Sequence, residues 1–289
     1  MLLPGTKYRD QNEIDAQYNM LYHFWLQHDP YADYFMLESN KFREQYQPLD
    51  NVRVGARDEE RVDVFKSAKP SSPILVFVHG GWWSMPCDSK FFQMIGRGFV
   101  ERGYTVVFTE YTLCPKVGIP DITNATRSAV AWAYENAADI NGDRDRLFVS
   151  GHSAGGQQTG MMAITDWSQF GLPVDVMKGG VPISGVFDLR PFEFSFLQPK
   201  LRLSTGDAIA ESPILHIPTQ APPLLVNVGG EESALFQTES EDFVAAWQQA
   251  GHQASYLPIA NENHMTNMYR LANPDSELCT AMDEFFRAC

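Results

Sequence analysis

This chain has no stretch long and apolar enough to span a bilayer, and its start, Met1-Leu2-Leu3-Pro4-Gly5, lacks the apolar run of a secretion signal. Basic residues are scarce: 22 Lys and Arg stand against 36 Asp and Glu, a formal net charge of -14. That sign disfavours nucleic acid, whose phosphates attract lysine and arginine, and anionic membrane surfaces. No nucleic-acid or membrane partner is therefore expected. Cysteine is sparse as well. Cys87, Cys114, Cys279 and Cys289 show no C-x-x-C spacing and no accompanying histidine cluster, so no metal site is expected. Unpaired thiols and the missing leader together point to a cytoplasmic location. Internal repeats and low-complexity linkers are absent too.

What the chain does have is apolar content, at 44% of 289 residues, enough for one large core. A single domain over residues 1–289 is expected, and the oligomeric state is left open, a homodimer included. The segment to about residue 50 is rich in aromatics, among them Tyr8, Tyr18, Tyr22, Phe24, Trp25, Tyr31, Tyr34 and Phe35, with a helix expected over Ile14–Leu26. Ile74-Leu75-Val76-Phe77-Val78 and Leu224-Leu225-Val226-Asn227-Val228 read as strands buried on both faces. Shorter strands are expected at Val62–Phe65, Tyr104–Thr109, Leu147–Val149, Val181–Ile183 and Ala254–Ile259. Helical stretches at 88–102, 121–138, 236–250 and 276–287 alternate with them. That rhythm predicts an α/β class fold: a mostly parallel central sheet with helices on both faces. Residues 185–218 break it, carrying Phe192, Phe194, Phe196 and Leu197 among prolines, and are expected to form a small cap.

Gly151-His152-Ser153-Ala154-Gly155 fits G-x-S-x-G between an expected strand and an expected helix. Small residues on either side allow a sharp turn that exposes the serine oxygen, and the helix start aims amides at developing negative charge. The pattern makes Ser153 the candidate nucleophile. His79-Gly80-Gly81-Trp82-Trp83 follows the strand at 74–78, where glycines leave backbone amides open to an oxyanion. The candidate donors are the N–H groups of Gly81, Trp82 and Ala154, with Trp83 a candidate wall of the substrate pocket. Three histidines follow at a distance: His216, His252 and His264. His264 alone lies after the last strand on the expected edge, which makes it the candidate base. The acid is expected after the 224–228 strand, where Glu231 and Glu232 are the carboxylates. Position favours Glu232, with Asp188 after the preceding strand as its rival.

Taken together, Leu75–Trp83, Gly151–Gly155, Ile183–Leu189, Ser212–His216, Val228–Ser233 and His264 resemble the arylformamidase (kynurenine formamidase) and esterase branch of the α/β-hydrolase family. Asp15-Ala16-Gln17-Tyr18-Asn19 resembles its N-terminal segment. The resemblance implies a cofactor-free Ser-acid-His hydrolase acting on a small ester or an N-formyl or aryl amide. It puts the acid at Glu232, where the family usually has aspartate, and makes Asp188 part of a structural turn. Gly156-Gln157 stands where formamidases often have alanine and histidine. The alternative is an α/β-hydrolase-fold chain that binds without catalysis. Because no ligand set of metal-site spacing is present, dialysis against a strong chelator should leave the hydrolysis rate unchanged. A loss restored by zinc or manganese would overturn that expectation.

Overall fold

The computed structural model describes residues 2–26 and 30–289, with the side chains of 19–31 outside the description; the rings of Tyr22, Phe24, Trp25 and Tyr31 belong to that omitted set. Among the described residues eight strands form one sheet: β1 (Leu49–Arg53), β2 (Arg61–Phe65), β3 (Ser72–Val78), β4 (Thr105–Glu110), β5 (Gly142–His152), β6 (Gly179–Ile183), β7 (Leu224–Gly229) and β8 (Ala254–Ile259). Their order is β1-β2-β4-β3-β5-β6-β7-β8. β1 and β2 run antiparallel, while every pairing from β4 through β8 is parallel. Parallel strands need helical crossovers, which cover both faces and demand apolar residues on both. β3 meets that demand by alternation: Ile74, Val76 and Val78 enter one core, Leu75 and Phe77 the other.

The longer helices are α1 (Gln11–Leu26), α2 (Pro30–Tyr46), α3 (Ile119–Glu135), α4 (Ala154–Ala163), α5 (Ala234–Gln249) and α6 (Glu277–Ala288). Ile14 and Tyr18 of α1, Ile122 and Ala129 of α3, Met161 of α4 and Phe243 of α5 pack on the Val76 face. Phe35 and Phe42 of α2 and Met282 and Phe286 of α6 pack on the Phe77 face. The stretch 88–102, expected as one helix, is instead a 3-10 segment over Ser89–Gly96 followed by one helical turn, Arg97–Val100. Gly96 and Gly98 in this stretch back closely onto the Phe108 ring and the Leu271 carbonyl. Residues 185–218 hold no strand but four short helical turns, between Arg190 and Leu215.

All parallel strands end at one edge, and two features there set the site's frame. The first is a backbone contact. A Cβ on Gly155 would lie 2.0 Å from the Val78 carbonyl oxygen, and one on Gly151 would lie 2.3 Å from the Gly155 oxygen. The end of β3, the end of β5 and the first turn of α4 thus meet with no side chain between them. The second is an ion pair between a buried imidazole and a partly exposed carboxylate. His79 Nε2 donates to Glu110 Oε1 at 3.3 Å and Nδ1 donates to the Gly80 carbonyl at 2.8 Å. Both partners only accept, so the ring carries both protons. Burial opposes that charge, but the Glu110 carboxylate outweighs it, with help from the Cys87 side chain, and holds the His79 pKa at about 10. The ring stacks on Tyr111 at 4.2 Å.

Two outcomes follow from these features. Gly155→Ala should unfold at a much lower denaturant midpoint, a loss of about 3 kcal/mol or more, because a backbone carbonyl cannot give way as a side chain can. A His raised above its unfolded value near 6.5 stabilises fully below that pH and loses the contribution as pH rises toward about 10. Urea unfolding should therefore show wild-type stability falling between those two pH values, and Glu110→Gln should flatten that fall. An identical pH dependence in the variant would dissociate the pair from stability.

Candidate active site

β5 runs into Ser153 without a loop. The serine takes φ 58 and ψ -116, and Ala154 starts α4 directly after it. A non-glycine residue with positive φ is costly and persists only where its surroundings enforce it. Here the Ser153 amide donates to the Ile183 carbonyl at 2.9 Å, and the Gly155 contact presses the turn from behind. Gly80 lies across its front, where a Cβ would come within 2.7 Å of the His152 oxygen and 3.1 Å of Ser153 Cβ. The next residues, Gly81, Trp82 and Trp83, all have positive φ, coiling the chain so that Ser84 and Met85 amides bond back to the Gly81 carbonyl.

His264 follows β8 and Glu232 follows β7, so both reach the same edge. His264 Nδ1 and Glu232 Oε2 are 2.6 Å apart. A carboxylate accepts, so Nδ1 carries the proton and Nε2 is left as the ring's acceptor. The Glu232 side chain is 0% exposed. Its other oxygen, Oε1, accepts from the Gly229 amide at 2.8 Å and from the Ser184 hydroxyl. Phe236 of α5 covers the imidazole with centroids 4.7 Å apart. His152 lies on another side at 4.3 Å and donates Nε2–H to the His264 carbonyl at 2.9 Å. Burial pushes the His152 pKa well below its ordinary value, and a second imidazole alongside acts in the same direction, which keeps the ring neutral.

Gly81, Trp82, Met85, Ser153, His264 and Met265 share one cavity of about 20 Å³. Trp82 also meets Tyr18 of α1 edge-on at 5.3 Å, Phe192 of the 185–218 segment at 5.7 Å and Phe236 at 6.3 Å. Both α1 and the 185–218 segment therefore pack on this wall. Trp83 departs from its expected place. Its ring is fully buried, donates Nε1–H to Gln157 Oε1 at 3.2 Å and meets Phe192 edge-on, so it lies in the core and outside the cavity lining. Gln157 Nε2 in turn donates to the Glu211 carbonyl at 2.8 Å, which ties this turn to the 185–218 segment. A larger groove of about 1120 Å³ opens on the far side of the 84–91 loop and includes neither Ser153 nor His264.

The other candidates sit elsewhere. Asp188 pairs with Arg190 at 2.6 Å and accepts from its backbone amide, closing its own turn. Glu231 is bonded through its amide to the Glu262 carbonyl. His252 bonds the Pro218 carbonyl and His216 the Ile209 carbonyl. Among the described residues no group of three or more His, Cys, Asp or Glu side chains is placed to hold a metal ion, and no helix is long and apolar enough to cross a membrane. Ser184, His152, Phe236 and Met265 escaped the sequence reading as parts of the site. Ser184 lies inside the quoted Ile183–Leu189 run and His152 inside the pentapeptide, but neither run shows what its side chain contacts.

Residues 62–180 match the family described as BD-FAE. The chain is 26% identical to the kynurenine formamidase of Danio rerio over 81% of this chain and 80% of that one. It is 27% identical to the Salmo salar kynurenine formamidase, with 80% of each chain covered. Among solved structures, a thioesterase candidate from Silicibacter sp. tm1040 superposes with a TM-score of 0.79 at 28% identity, covering 94% of this chain and 99% of that one. The Pyrobaculum calidifontis esterase, at 18% identity and a TM-score of 0.72 over 89% of this chain and 92% of its own, shows the shared fold. With this sheet order, this edge and these relatives, the chain has the α/β-hydrolase fold and is a hydrolase similar to formamidases and esterases.

Proposed function

We propose that the chain cleaves a small ester or an N-formyl or aryl amide through an acyl-enzyme on Ser153. The observation that carries this reading is the 2.6 Å bond from His264 Nδ1 to the buried side chain of Glu232, on a ring that shares a cavity with Ser153. Glu232 holds the tautomer with Nε2 unprotonated, and Nε2 takes the Ser153 proton as Oγ adds to the carbonyl carbon. The amides of Gly81, Trp82 and Ala154 stabilise the resulting oxyanion. Collapse expels an alcohol or aromatic amine, which leaves with the proton from His264. Water, deprotonated by the same nitrogen, then releases the acid and restores Ser153.

The size of the cavity supports a short acyl group. Trp82, backed by Tyr18, Phe192 and Phe236, closes the space beyond Ser153. A formyl or acetyl carbon fits such a space; a long acyl chain requires these rings to move. The formamidase relatives make an N-formyl aromatic amine such as N-formylkynurenine one candidate substrate, and the esterase relatives make a short-chain carboxylic ester the other.

Turnover should fall steadily along p-nitrophenyl acetate, butyrate and octanoate, and comparison with N-formylkynurenine chooses between ester and amide. Ser153→Ala should abolish labelling by a fluorophosphonate probe and lower turnover roughly 10⁴–10⁶-fold. Persistent labelling would dismiss the assignment. Glu232→Gln should lower kcat about 10³–10⁴-fold at a matched folded fraction, since an amide cannot hold the imidazolium charge. Asp188→Asn should act through stability instead. A collapse of kcat in Asp188→Asn alone would move the acid to that residue.

A further inference from the structure

We infer that Ser184 is a positioning residue, without which Glu232 does not hold His264 in its working orientation; the inference rests on the mechanism proposed above. Ser184 follows β6 and is fully buried. Its φ is +50, a left-handed conformation that glycine or asparagine adopts at lower cost than serine. The backbone has little room to relax. Its amide donates to the Asn227 carbonyl at 2.8 Å, and the preceding Ile183 carbonyl receives the Ser153 amide at 2.9 Å. On the other side the Gly185 Cα would lie 2.8 Å from a Cβ on Gly156 of α4. A serine in so costly a place is explained by its side chain.

That side chain has one proton, and the surroundings decide where it goes. Asn267 Nδ2 faces Ser184 Oγ at 3.4 Å and donates to Asn227 Oδ1 at 2.7 Å; Asn227 Nδ2 donates to the Leu257 carbonyl at 2.8 Å. With a donor on its lone-pair side, the Ser184 hydroxyl points its proton at Glu232 Oε1. The Gly229 amide supplies the second bond to the same oxygen. Two bonds on Oε1 fix the carboxylate plane and leave Oε2 for His264. A glutamate needs this more than an aspartate does, because it has one more rotatable bond to immobilise. Asn267 lies three residues after His264, in the helical turn Thr266–Tyr269, so the chain of donors closes back on the element that carries the base.

Ser184→Ala and Ser184→Gly separate the hydroxyl from the backbone. Both remove the proton donor, but only glycine relieves the positive φ. Each should lose kcat for p-nitrophenyl acetate by about 10- to 100-fold with KM nearly unchanged, the effect of one charge-assisted hydrogen bond. Thermal unfolding should nevertheless place the glycine variant above the alanine variant. The far-downfield proton resonance of the short His264 Nδ1–H bond should shift upfield or broaden away in both. If activity instead follows stability, with Ser184→Gly turning over as wild type and its resonance unmoved, Ser184 is a packing residue and the inference fails. Fluorophosphonate labelling of wild-type Ser153 reports separately on the underlying mechanism, and the resonance reads the Glu232–His264 bond whether or not the protein turns over.

Discussion

The contact on which this edge of the sheet depends is the one with no side chain in it, between the Val78 carbonyl and Gly155. It lets the first turn of α4 lie against the end of β3. The elbow must then turn within a single residue, which drives Ser153 to φ 58. The chain leaving β3 must pass over that serine, which only Gly80 permits. The serine, the glycine pair and the start of the helix are therefore one packing solution. A hydrophobic core of ordinary side chains then holds it from both faces of the sheet.

Three histidines at this edge show how surroundings decide what one residue type does. His79 lies between a carbonyl and a carboxylate, so it is held charged and acts as a structural clamp. His152 is buried beside another imidazole and donates to a carbonyl, so it stays neutral and props up the loop carrying His264. His264 alone has a buried carboxylate on one nitrogen and a shared cavity with the serine. The net acidity of the chain plays no part in these differences; each is settled within a few ångströms.

Much of this was legible in the sequence, for identifiable reasons. β3 and β7 are largely apolar runs because helices cover both their faces, and the G-x-S-x-G turn needs its glycines wherever it occurs. β1 escaped because four of its five residues are exposed at the sheet edge and carry no alternation. α2 was merged into an aromatic-rich segment because Tyr34, Met36 and Leu37 are exposed beside buried Phe35, which blurs the helical period. The spatial adjacency of Glu232 and His264 agrees with their positions after neighbouring parallel strands. Trp83 was misjudged because two consecutive positive-φ residues rotate it into the core, and positive φ at tryptophan leaves no trace in composition. The surroundings of Ser184 were unreadable for a different reason: its partners, Glu232, Asn227 and Asn267, lie far off in the chain.

Tyr18 of α1 meets Trp82 edge-on, and Trp82 shares its cavity with His264, near the opposite end of the chain. The wall and this imidazole are thus among the most widely separated parts of the polypeptide. During synthesis, the first helix and the elbow leave the ribosome long before residue 264 does. For that interval the nascent chain carries a serine turn with no imidazole beside it. Such long-range closure makes completion of the pocket a late event in folding. A polypeptide interrupted after β7 retains most of the sheet yet lacks the His264 imidazole that shares the cavity with its serine.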